Sequence, residues 1–186
     1  MGCSQGVASL ANQFALVSYI PDPLGGFLDD LRLELVPGCN PHAHVTVLPP
    51  RPLSCDECDA TGQLIECAEQ FAGFEIELGE VEIFPVSKVI YIGISRGEPE
   101  LREMYRILNQ GAVCFREAFP YHPHVTLAQN FQLEDLDYLS AIANRRWNDY
   151  AHSRTFPVHR LDFVKNIQGL GWLDRASVEL RGVAVV

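Results

Sequence analysis

Two short stretches carry the residue types best suited to chemistry. His42-Ala43-His44-Val45-Thr46-Val47 and His122-Pro123-His124-Val125-Thr126-Leu127 share the form His-x-His-x-Thr-apolar. Alternate residues of a strand share a face, so an extended backbone turns His44 and Thr46 one way and Val45 and Val47 the other. His124 and Thr126 repeat that arrangement against Val125 and Leu127. His42 and His122 join the same rows only if each strand begins early enough. Pro41 and Pro123, which cannot donate a ladder hydrogen bond, work against that regularity. Imidazole titrates near neutrality, so one of two facing histidines can accept a proton while the other donates one. Two threonine hydroxyls can donate to non-bridging oxygens as charge redistributes. Together these groups meet the needs of in-line attack on a phosphodiester: a base for the entering oxygen, an acid for the leaving one, and no metal or other cofactor.

The same residues admit other readings. His-x-His twice is also a metal-ligand pattern, which would make a four-His metal-dependent hydrolase of His42, His44, His122 and His124. No carboxylate lies at a useful spacing for that site, and it leaves Thr46 and Thr126 without a role. A non-catalytic phosphate- or nucleotide-binding module on the same cleft is the third reading. Arg51 and Lys165 are candidates for accessory phosphate contacts, and Tyr121 or Tyr19 for stacking on a base. Cys55-Asp56-Glu57-Cys58 is a single C-x-x-C, with no second pair to complete a zinc site, so the six cysteines read as structural. Ser54-x-x-Glu57 reads instead as a capping box opening a helix, on which Cys58 and Cys67 are small packed residues.

The elements that must position the two motifs follow from periodicity. Extended runs are expected at Gln13 to Ile20, His44 to Leu48, Phe74 to Leu78, Val81 to Phe84, Val89 to Ile94, Val125 to Ala128, Phe156 to Val164 and Trp172 to Leu180. Helical stripes are expected at Leu24 to Val36, Ser54 to Phe71, from Pro99 to about Ala112, and Leu133 to Tyr150. Pro37-Gly38 and Gly73 supply stops. The order is β-α-β-α-β-β, given twice, with each motif on the second strand of its half and a helix after it. An α+β, bilobal fold with a pseudo-two-fold axis, antiparallel or mixed sheets and a central cleft is the expectation. Residues 1–12 are expected to form a flexible N-terminus and 13–186 a single domain, with the motifs at 44–47 and 124–127.

The chain has 186 residues and a formal net charge of −10. That charge argues against generic binding of long duplex nucleic acid, which phosphate neutralisation by Lys and Arg drives. It is compatible with a short or terminal phosphodiester in a locally basic cleft. No stretch reaches a membrane-spanning length and no secretory signal is legible, so a cytoplasmic protein is expected, and a monomer.

The doubled motif, with its flanks, resembles the 2H phosphoesterase superfamily, in particular its branch of 2′-5′ RNA ligase-like proteins and RNA 2′,3′-cyclic phosphodiesterases. Phe14-Ala15-Leu16-Val17 is similar to the first strand of that family, Val89-Ile90-Tyr91-Ile92-Gly93 to its mid-chain strand, and Tyr121 to Leu127 to its second motif. The resemblance implies two lobes whose motifs face each other across a V-shaped cleft. It implies His44 as proton donor, His124 as proton acceptor, and Thr46 and Thr126 as phosphate-holding residues. The reaction implied is opening of a 2′,3′-cyclic phosphate, or reversible formation of a 2′-5′ linkage, at an RNA end or nucleotide. After the first motif this chain reads Leu48-Pro49-Pro50-Arg51, where many relatives carry an aromatic residue and glycine.

Overall fold

The computed structural model describes residues 13–39, 41–53, 55–168 and 170–181. The expected flexible N-terminus, residues 1–12, lies outside them. The first half runs β1 (Phe14–Tyr19), α1 (Leu24–Leu35), β2 (His44–Arg51), α2 (Glu57–Ala68) and β3 (Phe74–Ile83). The second runs β4 (Ile90–Arg96), α3 (Glu98–Leu108), β5 (His124–Ala128), α4 (Leu136–Asn148), β6 (Thr155–Val158), β7 (Arg160–Ile167) and β8 (Gly171–Glu179). Single 3-10 turns at Gly111–Val113 and Leu133–Asp135 precede β5 and α4.

Two four-stranded antiparallel sheets result, in the orders β2-β1-β7-β8 and β5-β4-β3-β6. The expected α+β class and duplicated halves are thus present, each motif lying on the outer strand of its own sheet. The helices α2 and α3 are shorter than expected, and two of the expected strands are divided differently. Phe74 to Leu78 and Val81 to Phe84 are one strand, because β3 absorbs an extra residue: Leu78 pairs with Ile94 but Val81 with Ile92. The Gly79 carbonyl at this bulge accepts a 2.8 Å hydrogen bond from the buried Trp147 Nε1. Conversely, Phe156 to Val164 is two strands. Phe156 and Val158 pair along β3, whereas Leu161 and Phe163 belong to the other sheet. The chain therefore crosses between lobes at His159, which lies in neither strand.

Helix packing joins the halves reciprocally. α1 packs on β5 and α4, while α3 packs on β2 and α2. Leu28, Leu31 and Leu35 of α1 and Leu101, Met104 and Leu108 of α3 are buried in one core with Val45, Val47, Val125 and Leu127. The alternating apolar residues of each motif strand, Val45 and Val47 or Val125 and Leu127, thus meet a helix from the opposite half, which turns the His and Thr face the other way. α1 approaches β1 closely at Gly25, where a Cβ would come within 2.1 Å of the Ile20 carbonyl. α2 begins at Glu57 rather than Ser54, which lies outside the described residues; the Asp56 carboxylate caps it, accepting from the Cys58 and Asp59 amides. Cys58 is exposed on this helix and Cys67 half-buried. No described helix is long and apolar enough to cross a membrane.

Candidate active site

The two motifs adopt the same local structure. In each, the strand begins at the second histidine, and the burial sequence from that residue is half-buried, buried, half-buried, buried. His42 and His122 lie before their strands and are exposed. Each supplies a backbone carbonyl to the histidine two residues on. His44 Nδ1 lies 2.6 Å from the His42 oxygen, and His124 Nδ1 lies 2.7 Å from the His122 oxygen. A carbonyl only accepts, so both Nδ1 atoms carry hydrogen and each neutral ring presents Nε2 as its lone pair. Rotation and tautomer of both histidines are thereby fixed by a bond to the residue two positions earlier.

β2 and β5 are neighbours across the molecule, and the charge of His124 acts on His44. Burial pushes His44 down to about 4, opposed by the hydrogen bond to the His42 carbonyl and reinforced by the charges of Arg32, His42 and His124. His124 is also depressed by burial, again opposed by its carbonyl partner. Both rings are therefore biased toward the neutral form near pH 7 in the free protein, and a proton must be stabilised there by an anion that enters.

The walls differ between lobes. Tyr19 pairs with His44 across β1 and β2; its ring stacks on His42 at 3.6 Å and its hydroxyl donates to Asp174 at 2.5 Å. In the other lobe the residue paired with His124 is Gly93, where the Glu82 carboxylate takes the space a side chain would fill. Tyr91 and Phe84 stack on each other at 4.0 Å and present edges to His124 at 5.3 and 5.0 Å. The Tyr91 hydroxyl donates to Glu82 at 2.9 Å, and burial together with that carboxylate pushes the phenol up to about 12. Tyr91, Phe84, Glu82 and Asp174 were not singled out from the sequence. Register decides these placements: β4 pairs Tyr91 with Thr126 of β5 and with Glu82 of β3.

The accessory cations expected to touch phosphate are committed elsewhere. Arg51 is 1 % exposed. It pairs with Glu117 at 2.6 Å and donates to the Asn109 side chain and to the Pro49 and Val113 carbonyls, which leaves little of its fork for a ligand. Lys165 pairs with Glu57 at 3.3 Å and lies over the Phe14 ring. It faces Phe14 in the β1–β7 register, whereas His44 faces Tyr19 at the other end of β1, roughly 16 Å away at strand rise. Tyr121 stacks on Tyr105 at 4.3 Å and donates its hydroxyl to the Thr46 carbonyl at 2.8 Å, so its ring braces the first motif from the segment leading into the second. Among the described residues no three His, Cys, Asp or Glu side chains converge as a metal site requires, so the geometry lends the four-His arrangement no support.

The profile of the 2′-5′ RNA ligase superfamily matches residues 20–169, and the chain belongs to that superfamily, the 2H phosphoesterases. Solved structures share its fold. Escherichia coli LigT in apo form superposes with a TM-score of 0.63 at 13% identity, covering 91% of this chain and 98% of LigT. LigT complexed with 3′-AMP gives 0.62 at 15% over the same shares. Usb1 of Kluyveromyces marxianus, with uridine monophosphate, gives 0.53 at 14%, covering 92% and 99%. No curated protein matches the sequence itself.

Proposed function

We propose that this chain is a metal-independent phosphodiesterase that opens 2′,3′-cyclic phosphates, or makes and breaks 2′-5′ linkages, at RNA ends or nucleotides. The observation that carries the reading is the matched pair of histidines on neighbouring motif strands, each tautomer fixed by the carbonyl two residues back, each followed two residues on by a threonine. The nucleotides bound by LigT and Usb1 agree with a phosphate-binding cleft. In the hydrolytic direction His124 Nε2 takes a proton from water, whose oxygen bonds to phosphorus. The P–O3′ bond breaks, His44 Nε2–H delivers a proton to the departing oxygen, and a 2′-phosphomonoester leaves. Thr46 and Thr126 donate to the non-bridging oxygens throughout. His44 as donor must first gain a proton that burial disfavours, and the negative phosphate supplies the field that holds it there.

The test is turnover of 2′,3′-cyclic nucleotides and 2′-5′-linked oligonucleotides by the wild type, His44→Ala and His124→Ala. Each substitution is expected to lower kcat by about 10²–10⁴-fold with the circular dichroism spectrum retained, and EDTA to leave the rate unchanged. Full activity in either variant would sink the two-histidine mechanism. Nucleotide binding without turnover by the wild type would instead favour a binding module.

A further inference from the structure

Positive charge near the motifs is scarce, because most arginines are engaged: Arg51 with Glu117, Arg96 with Glu75, Arg146 with Glu34, and Arg175 with Glu57. Arg32 differs. It sits in the last turn of α1, half-buried, and among the described residues its guanidinium makes no ion pair or hydrogen bond. Asp29, one turn back, acts on it through space, and among the described residues the Asp29 Oδ1 atom is itself buried without a hydrogen-bond partner. Arg32 fronts a pocket of about 280 Å³. Pro37, Gly38 and Cys39 line one side, and Thr126, Gln129 and Asn130 the other. Thr126 is common to this pocket and the site, and the charge of Arg32 reaches His44.

A guanidinium partly out of water without an acceptor is unfavourable, and its planar fork matches a phosphate. The adjoining Gln129 and Asn130 carry paired amide donors and acceptors, the groups that read base edges. The volume falls just short of the range of about 300–1,000 Å³ for drug-sized ligands, which limits the pocket to a single small unit.

We propose that this pocket is a subsite for the nucleotide unit next to the scissile phosphodiester, with Arg32 holding a second phosphate and Gln129 and Asn130 facing a base. The inference rests on the phosphodiesterase reading and adds a substrate class: an RNA end or oligonucleotide carrying a further phosphate, in preference to an isolated cyclic mononucleotide.

Calorimetric binding of adenosine 2′-monophosphate and adenosine 2′,5′-bisphosphate to the wild type, Arg32→Gln and Arg32→Lys tests it. The wild type is expected to favour the bisphosphate by about tenfold or more, the worth of a charge-assisted contact. Arg32→Gln should erase that ratio, and Arg32→Lys, which keeps the charge but not the fork, should keep part of it. Because the readout is a ratio within one protein, a general loss of affinity does not imitate it. Equal binding of both ligands by the wild type, or a ratio that survives in Arg32→Gln, overturns the subsite while the phosphate site stands. Failure of the wild type to bind either ligand overturns both. Should Arg32→Gln not fold, the wild-type ratio and its partial retention in Arg32→Lys still decide.

Discussion

At the scale of single residues, the histidine pair sets a definite pH dependence. kcat/KM reports the free protein, and there both rings lie below the ordinary value of about 6.5, His44 at about 4. The competent pair holds one proton. As pH rises through the higher of the two values the free protein loses that proton, so kcat/KM should fall about tenfold per pH unit on an alkaline limb centred below 6.5. Bound phosphate favours the protonated ring, so the kcat profile should be displaced to higher pH. Both profiles belong to the coupled pair rather than to either histidine. Rates for a 2′,3′-cyclic nucleotide between pH 4 and 9 measure this, and a kcat/KM limb centred well above 6.5 would contradict the burial of the pair.

At the scale of elements, the segment leading into the second motif is stitched to the strand of the first. The Tyr121 hydroxyl meets the Thr46 carbonyl, so the strand of the first motif and the approach to the second share one fastening. Tyr121→Phe keeps the stack on Tyr105 and removes only this hydroxyl. It leaves the part-buried Thr46 carbonyl short of a donor, and should cost about 1–3 kcal/mol in denaturant unfolding together with a fall in kcat. A variant with unchanged stability and rate would show that the fastening is dispensable. Gly93 illustrates the same dependence on placement. A Cβ there would come within 2.8 Å of a Glu82 oxygen beside the strand that carries His124, and nothing in the local sequence announces that neighbour.

At the scale of the whole molecule, Arg51 shows how far a residue's role depends on its surroundings. Its guanidinium ties the end of β2 to Asn109 after α3, to the Val113 carbonyl and to Glu117, all in the stretch that delivers the second motif. Burial raises Glu117 and lowers Arg51, and their attraction opposes both shifts. Arg51→Met should therefore cost about 3–5 kcal/mol, since it takes a donor from the half-buried Glu117 carboxylate and from three further acceptors, on Asn109, Pro49 and Val113. Urea unfolding measures the loss, and one below about 1 kcal/mol would show that the cluster is not a staple.

The sequence by itself determined the motif strands, the four helices and the apolar motif residues that turn inward, because periodicity is a local property of the backbone. It did not show that Phe156 to Val164 leaves one sheet for the other at His159. Tertiary structure alone decided that Arg51 and Lys165 are tied down, that the His42 and His122 carbonyls hold the histidines two residues on, and that among the described residues Arg32 makes no ion pair where it lines a pocket with Thr126. Each of these depends on which groups lie nearby in space, and for the cations those groups come from distant parts of the chain. The free energy of a charge is set by such neighbours and by its access to water, neither of which residue type or spacing encodes.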